Sequence, residues 1–403
     1  MASLLDDARE LADELTGLRH RLHRHPEIGL DLPHTQEAVL ASLEGLGLEI
    51  STGTTCTSVT AVLRGTGPSR ERGGQRPVVL LRGDMDALPI TEDVDVPYRS
   101  QVDGAMHACG HDLHTSMLVG AARLLADHRS SLGGDVVFMF QPGEEGFDGA
   151  AHMIAEGVLD AAGRRADVAF ALHVMSNLTS RGVVATRPGP IMAASDGLHV
   201  TVRGYGGHGS TPHTTRDPIP AACEIVLALQ TAMNRELDAF SPAVLTVGTI
   251  HAGTKRNIIP DTVTFEATVR TFDPATRTLI ASVVERVCHG IAAAHGLDAD
   301  VRYVTEYPLT INDAGQTRYA LDVVTELLGP TAVLPMTNPL TGSEDFSRVL
   351  AEVPGAMLFL GALTENCPAA SAPSNHSPRA TFDDRVLPIG AALYASLALS
   401  FRL

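Results

Sequence analysis

The chain has no tryptophan, and aromatic residues make up only 4% of its 403 residues. Lys255 is the single lysine among 30 basic residues. With so much Ala and Gly, this looks like the coding bias of a GC-rich genome and is given no functional weight. Positive charge is scarce overall. The formal net charge is −17, which argues against a nucleic-acid partner, because binding phosphates needs a basic surface. No apolar run reaches the roughly 20 residues of a membrane span, so no membrane partner is expected. The N-terminus, Met-Ala-Ser-Leu-Leu-Asp-Asp-Ala-Arg-Glu, lacks the basic and apolar regions of a signal peptide. The five cysteines, Cys56, Cys109, Cys223, Cys288 and Cys367, are odd in number, scattered and without a CxxC pair. A disulfide framework is not expected and a reducing cytoplasm is. Gly-x-Ser-x-Gly, P-loop and Rossmann signatures are all missing, which leaves Ser/His/Asp catalysis and nucleotide binding without support.

What is present is length enough for two or three domains, with 44% hydrophobic residues. Apolar spacing predicts helices over 4–25 and 35–46. A polar, Gly-rich loop is expected over 65–77. Strands are then expected at 77–81, 135–140, 167–172 and 356–360, with helices at 115–128 and from 149. Such alternation implies a largely parallel sheet covered on both faces. The stretch 193–308 differs. Strands at 197–203, 243–250, 262–271 and 300–306 and helices at 218–234 and 274–295 follow the β-α-β-β-α-β order of a ferredoxin-like domain. The expected organisation is a catalytic domain over 1–192 and 309–403 with a small domain inserted over 193–308.

The chemistry concentrates at Cys109-Gly110-His111-Asp112 and Gln141-Pro142-Gly143-Glu144-Glu145. A thiolate, imidazoles and adjacent carboxylates are costly to gather unless a partner or metal compensates them. Three expected strands end in such residues: Asp84 and Asp86, Glu144 and Glu145, and His173. Ligands of parallel sheets bind beyond that strand edge. With His376 in Ser374-Asn375-His376-Ser377-Pro378, the pattern points to a metal site and hydrolysis. If Glu145 binds metal, its neighbour Glu144 is placed as general base. Asp84 and Asp86, two residues apart, share a face, as ligands or as orienters of a histidine. His114 suits capping or packing as well as ligation. His208, in the Gly-rich stretch 204–210, suits either a hairpin turn or a mobile loop that stabilises an oxyanion. His20, His23, His25 and His34 read as surface or packing residues.

The strings LRGDMDALPI, MHACGHDLHTSM, QPGEEGFDGAAHMI, ALHV, GYGGHGSTPH, GTKRNIIPD, GSEDFS and NHSP resemble the two-metal aminoacylase and carboxypeptidase family. They are most similar to its amidohydrolase branch of hippurate hydrolases, N-acyl-L-amino acid amidohydrolases and auxin-conjugate hydrolases. The resemblance runs from about His25 to Pro378. It implies a zinc-peptidase-like α/β/α catalytic domain and a ferredoxin-like lid that also dimerises, so a homodimer or higher homo-oligomer. It implies two divalent ions on Cys109, His111, Glu145, His173 and His376, with Glu144 as base and Asp86 orienting the site. Zn²⁺ or Mn²⁺ is expected, with Co²⁺ or Ni²⁺ as alternatives. It further implies that His208 reaches a partner's active site and that Asn257 touches the substrate's carboxylate. Carboxypeptidase relatives carry His-x-Asp where this chain has Asp84-Met85-Asp86, and a bridging Asp near Cys109, which leaves the role of Asp84 open. The implied reaction cleaves an N-acyl amino acid to a carboxylic acid and an amino acid. The alternatives are dipeptidase or exopeptidase action, or a silent metal- and ligand-binding protein.

Overall fold

The computed structural model describes residues 2–68, 75–365 and 367–402. The loop expected over 65–77 therefore lies partly, at 69–74, outside the described residues. In chain order come α1 (Ala2–Glu10), α2 (Ala12–Arg24), α3 (Pro33–Leu43), β1 (Glu49–Thr52), β2 (Val59–Arg64), β3 (Val78–Asp84), α4 (His111–Asp127), β4 (Asp135–Gln141), α5 (Gly149–Ala155), β5 (Val168–Met175), β6 (Val184–Thr186) and β7 (Gly189–Met192). The middle of the chain forms β8 (Ala194–Arg203), β9 (Gly207–His208), α6 (Pro218–Glu236), β10 (Ala243–Ala252), β11 (Ile258–Ile259), β12 (Thr262–Thr271), α7 (Pro274–Ala294) and β13 (Asp298–Thr305). It closes with β14 (Thr310–Asn312), α8 (Ala314–Leu328), β15 (Val333–Pro335), α9 (Ser347–Glu352), β16 (Gly355–Gly361) and α10 (Leu387–Ser400). Two compact units result. One takes the chain up to Ile191, Ile311–Asn338 and everything from Asp345; the other takes Met192–Thr310 and Pro339–Glu344. The return of Pro339–Glu344 to the second unit has no signal in local periodicity. Among the described residues, no helix is long and apolar enough to cross a membrane.

The first unit is built on a mixed α/β sheet ordered β1-β2-β4-β3-β5-β16-β6-β15. Its centre, β4-β3-β5-β16, is parallel. β2 pairs antiparallel to β4, β1 to β2, and β6 to β16. The largely parallel sheet expected from alternation therefore holds at its centre and gives way to antiparallel pairs on either side. β3 and β16 are buried at all seven positions, and β4 and β5 at all but one end residue, which is why they read as largely apolar runs, broken in β3 by Arg82 and Asp84. The helix expected over 4–25 is two helices, broken at Leu11, with Leu15, Leu18 and Leu22 of α2 buried. α10 is buried from Leu387 to Ala398, as a helix apolar on all sides must be. It crosses α4 closely. A Cβ on Gly390 would lie 2.0 Å from Met117 Sδ.

The second unit has an antiparallel sheet ordered β10-β12-β8-β13, the strand order of a split βαβ fold. β12 alternates exposed and buried residues. Val263, Phe265 and Val269 pack with Ile225 and Leu229 of α6 and Ile280 and Val284 of α7, while the alternate, polar positions face outward. Both helices start at an Asp-Pro pair. Asp217 accepts from Ile219 N at 3.0 Å and Asp273 from Thr276 N at 2.8 Å. These side chains satisfy amides that the first turn leaves unpaired.

Candidate metal centre and active site

β4, β3 and β5 are adjacent and parallel, so their carboxyl ends meet at one edge. Asp84 closes β3 and Glu144-Glu145 follow β4. His173 was expected just past a strand; it lies inside β5, which runs on to Met175. The β3/β5 ladder ends at Arg82↔Ala171. Beyond it the strands part, and Tyr394 Oη accepts from Leu172 N (2.8 Å) while donating to Arg82 O (2.5 Å). Buried backbone groups demand such partners. The helix expected from residue 115 begins at His111, one residue after Gly110 with φ 85°. A Cβ on Gly110 would sit 2.4 Å from Val174 Cγ2. Only glycine suits that bend, which sends Cys109 and His111 into the same buried space.

There the candidates converge. Cys109 Sγ lies 3.4 Å from His173 Nε2 and 3.3 Å from His376 Nε2. His376 Nε2 is 3.1 Å from Glu145 Oε1, and His111 Nε2 is 3.9 Å from the same oxygen. His111 Nε2 and Glu145 Oε1 are buried yet have no hydrogen-bond partner among the described residues. Buried coordinating atoms left without hydrogen bonds are the kind that a cation would satisfy. Two donor groups, Cys109–His111–His173 and Cys109–Glu145–His376, share the thiol, with their atoms within 4.8 Å of one another. Mixed sulfur, nitrogen and oxygen donors suit a borderline-soft divalent ion. Cys109 and Glu145 also push the His376 imidazole up to about 10, the mark of an anionic pocket. His376 has a φ of 68°, a left-handed conformation that costs a non-glycine residue roughly 1–2 kcal/mol. His376 N donates to Ala108 O at 2.9 Å, which helps hold it.

Asp86 joins three parts of the site. It accepts from Glu144 N and Glu145 N, both at 3.0 Å, and stands 3.3 Å from His111 Nδ1. That contact keeps the proton on Nδ1 and turns the Nε2 lone pair inward. Asp84 instead binds Arg82 and His114, each at 2.5 Å. Burial pushes its carboxyl up, but Arg82 and the histidines outweigh burial and hold it well below the usual range. His114 Nε2 accepts from Val174 N at 2.7 Å. With Nδ1 on Asp84, both of its ring nitrogens are occupied, so His114 ties β3 to β5 and is not a metal ligand.

Sequence reasoning missed a buried polar layer around this edge. Asp345 accepts from Arg82 (2.9 Å), Gln141 (2.7 Å) and Ala150 N (2.9 Å). An arginine in the wholly buried run of β3 was the available signal, since a buried charge needs a partner. His23 is not a surface residue. It is 2% exposed and bonds Asp112 (2.8 Å) and Glu92 (3.1 Å). Arg19 Nε reaches the same Asp112 oxygen at 2.8 Å. His20 stacks on Tyr98, while His25 and His34 are exposed. In the second unit the Gly-rich stretch is no simple turn. His208 lies in a two-residue ladder opposite Ile258, and Gly209 N donates to Asn257 O at 2.9 Å, so the exposed His208 and Asn257 are neighbours.

Comparison with known proteins agrees with this geometry. Residues 80–400 match the model of peptidase family M20/M25/M40. Thermostable carboxypeptidase 1 of Saccharolobus solfataricus is 38% identical over 99% of this chain and 98% of its own. IAA-amino acid hydrolase ILR1-like 4 of Arabidopsis thaliana is 37% identical over 97% of this chain and 86% of its own. The crystal structure of the Bacillus subtilis YXEP protein, described as a dinuclear metal binding peptidase, has a TM-score of 0.80 and 31% identity, covering 97% of this chain and 98% of that one. Together with the two donor groups that share Cys109, that neighbour supports two divalent ions here. The chain belongs to peptidase family M20/M25/M40 and is a metal-dependent hydrolase of amide bonds.

Proposed function

We propose that the chain hydrolyses the amide bond of N-acyl amino acids, releasing a carboxylic acid and an amino acid. The observation that carries this is the meeting of buried Cys109, His111 and His173 with half-buried Glu145 and exposed His376, and buried Glu144 beside them. Those five residues would hold two divalent ions; the mixed sulfur, nitrogen and oxygen donors suit Zn²⁺, with Mn²⁺, Co²⁺ and Ni²⁺ as the alternatives. When bound, such ions polarise the scissile carbonyl and lower the pKa of water from about 15.7 towards 7. Glu144 accepts the proton of the water whose oxygen bonds to the carbonyl carbon. As the C–N bond breaks, it returns that proton to the leaving nitrogen. Asp86 holds the backbone of Glu144 and Glu145 and the ring of His111 in register. His208 stabilises the oxyanion from a second copy of the chain and Asn257 meets the substrate's carboxylate, the second unit serving as lid and dimer contact. The adjacency of His208, in the short ladder, and Asn257, just before it, supports a joint role. A cytoplasmic setting fits the five unpaired cysteines.

The test is Glu144→Gln. It keeps the backbone contact to Asp86 and removes the base, so kcat towards a hippurate-like substrate should fall about 10²–10⁴-fold while metal content by elemental analysis stays unchanged. Near-normal turnover would overturn the role. The name of the carboxypeptidase relative favours a second reading, exopeptidase action. A kcat/KM for peptides exceeding that for N-acyl amino acids would select it.

A further inference from the structure

The NHSP string contributes a candidate metal ligand in His376, but its asparagine has had no role. The Asn375 side chain uses its full hydrogen-bonding capacity, two donors and two lone pairs. Nδ2 donates to Cys109 O at 3.2 Å and to Val174 O at 3.0 Å, and lies 3.8 Å from Cys109 Sγ. Oδ1 accepts from Ser176 N and from Ser176 Oγ, both at 3.0 Å. One amide therefore joins three segments far apart in sequence: the Cys109 bend, the end of β5 that carries His173, and the loop that carries His376. It also touches the tautomer of His173. Val174 O accepts from His173 Nδ1 at 2.8 Å, which leaves the Nε2 lone pair facing Cys109 Sγ. Asn375 fixes the position of that same carbonyl.

We propose that Asn375 is a positioning residue for the metal centre. It sets the mutual placement of Cys109, His173 and His376, and it acts through Val174 O and Cys109 O without touching substrate. Aspartate in its place keeps the acceptor for Ser176 but loses both donors and sets a negative charge against two carbonyl oxygens. Alanine loses every one of these contacts. The inference rests on the ligand set proposed above.

The experiment titrates metal-depleted wild type, Asn375→Ala, Asn375→Asp and the control Ser371→Ala with Co²⁺. It follows both affinity and the thiolate-to-cobalt charge-transfer band. Ser371 lies in the same loop and, among the described residues, bonds only Pro368 O. Loss of a group that orients metal ligands typically costs 10–100-fold in metal affinity. We expect that loss in both Asn375 variants, with a displaced or weakened charge-transfer band, and neither change in Ser371→Ala. If the alanine variant fails to fold, the aspartate variant, nearly the same in shape, decides alone. Affinity within threefold of wild type with an unchanged band would overturn the positioning role. Equal loss in Ser371→Ala would also overturn it, by showing a general loop effect. Wild type that binds no Co²⁺ would instead overturn the ligand set itself.

Discussion

Replacing Arg19 with Met removes one of two cations that hold Asp112, the residue after His111 at the start of α4. Arg19 and Asp112 are 1% and 0% exposed, and their contact is 2.8 Å. Breaking one partner of a buried pair costs about 3–5 kcal/mol, because the other charge stays buried. Here the loss is tempered, since His23 Nδ1 lies 2.8 Å from the same Asp112 oxygen. Burial lowers the His23 pKa, but Asp112 and Glu92 outweigh burial and it is raised overall; Arg19 acts against that rise. The sign follows. A raised histidine is charged, and stabilising, below its folded pKa, and that contribution is lost as pH rises through it. Removing Arg19 lifts the His23 pKa further in the variant. Each unit of that lift adds about 1.4 kcal/mol to the variant's deficit once both proteins are deprotonated. The expected loss is therefore about 3 kcal/mol at acid-neutral pH, moving towards 5 at alkaline pH. Urea unfolding of the metal-depleted proteins, followed by far-ultraviolet circular dichroism on both sides of neutrality, measures it. A loss below about 1 kcal/mol, or one larger on the acid side, refutes the reasoning.

Other expectations test the site's frame. Gly110→Ala places a Cβ 2.4 Å from Val174 Cγ2 on a left-handed backbone. Strain and overpacking together should cost about 2–4 kcal/mol in the same urea assay, and a cost under 1 kcal/mol would show that the bend relaxes. Metal binding to the folded site alone should raise the stability of the first unit by about 2.7 kcal/mol at a free ion concentration of 100 Kd. Cys109→Ser, which alters both donor groups, should abolish most of that gain; a thermal midpoint indifferent to Zn²⁺ and Mn²⁺ in wild type counts against a metal centre.

Much of the chemistry lay in short stretches of chain. Cys109-Gly110-His111, Glu144-Glu145 and the strand runs before them are local patterns, and periodicity is a local property. Helix starts at Pro218 and Pro274 were legible for the same reason, since an Asp-Pro pair satisfies its own first turn. Whether His23 lies at the surface or packs inside was not legible within α2, because nothing there shows that Asp112, 89 residues on, waits beneath it. The expected start of α4 at residue 115 is one turn late, because no local pattern shows that the left-handed φ of Gly110 already starts the helix.

By itself the sequence determined the class of fold, and it marked the strand ends at which the residues of the proposed site gather. Tertiary structure alone decided four other things. It set the antiparallel flanks of the sheet, because pairing partners are chosen across the fold and not along the chain. It assigned Asp84 to Arg82 and His114, because a carboxylate buried at a strand end binds whichever cations packing brings to it. And it brought His376 to 3.3 Å from Cys109, a residue 267 positions earlier. It also bridged β3 and β5 beyond their last ladder pair with Tyr394 and His114, residues no local pattern assigns to that task.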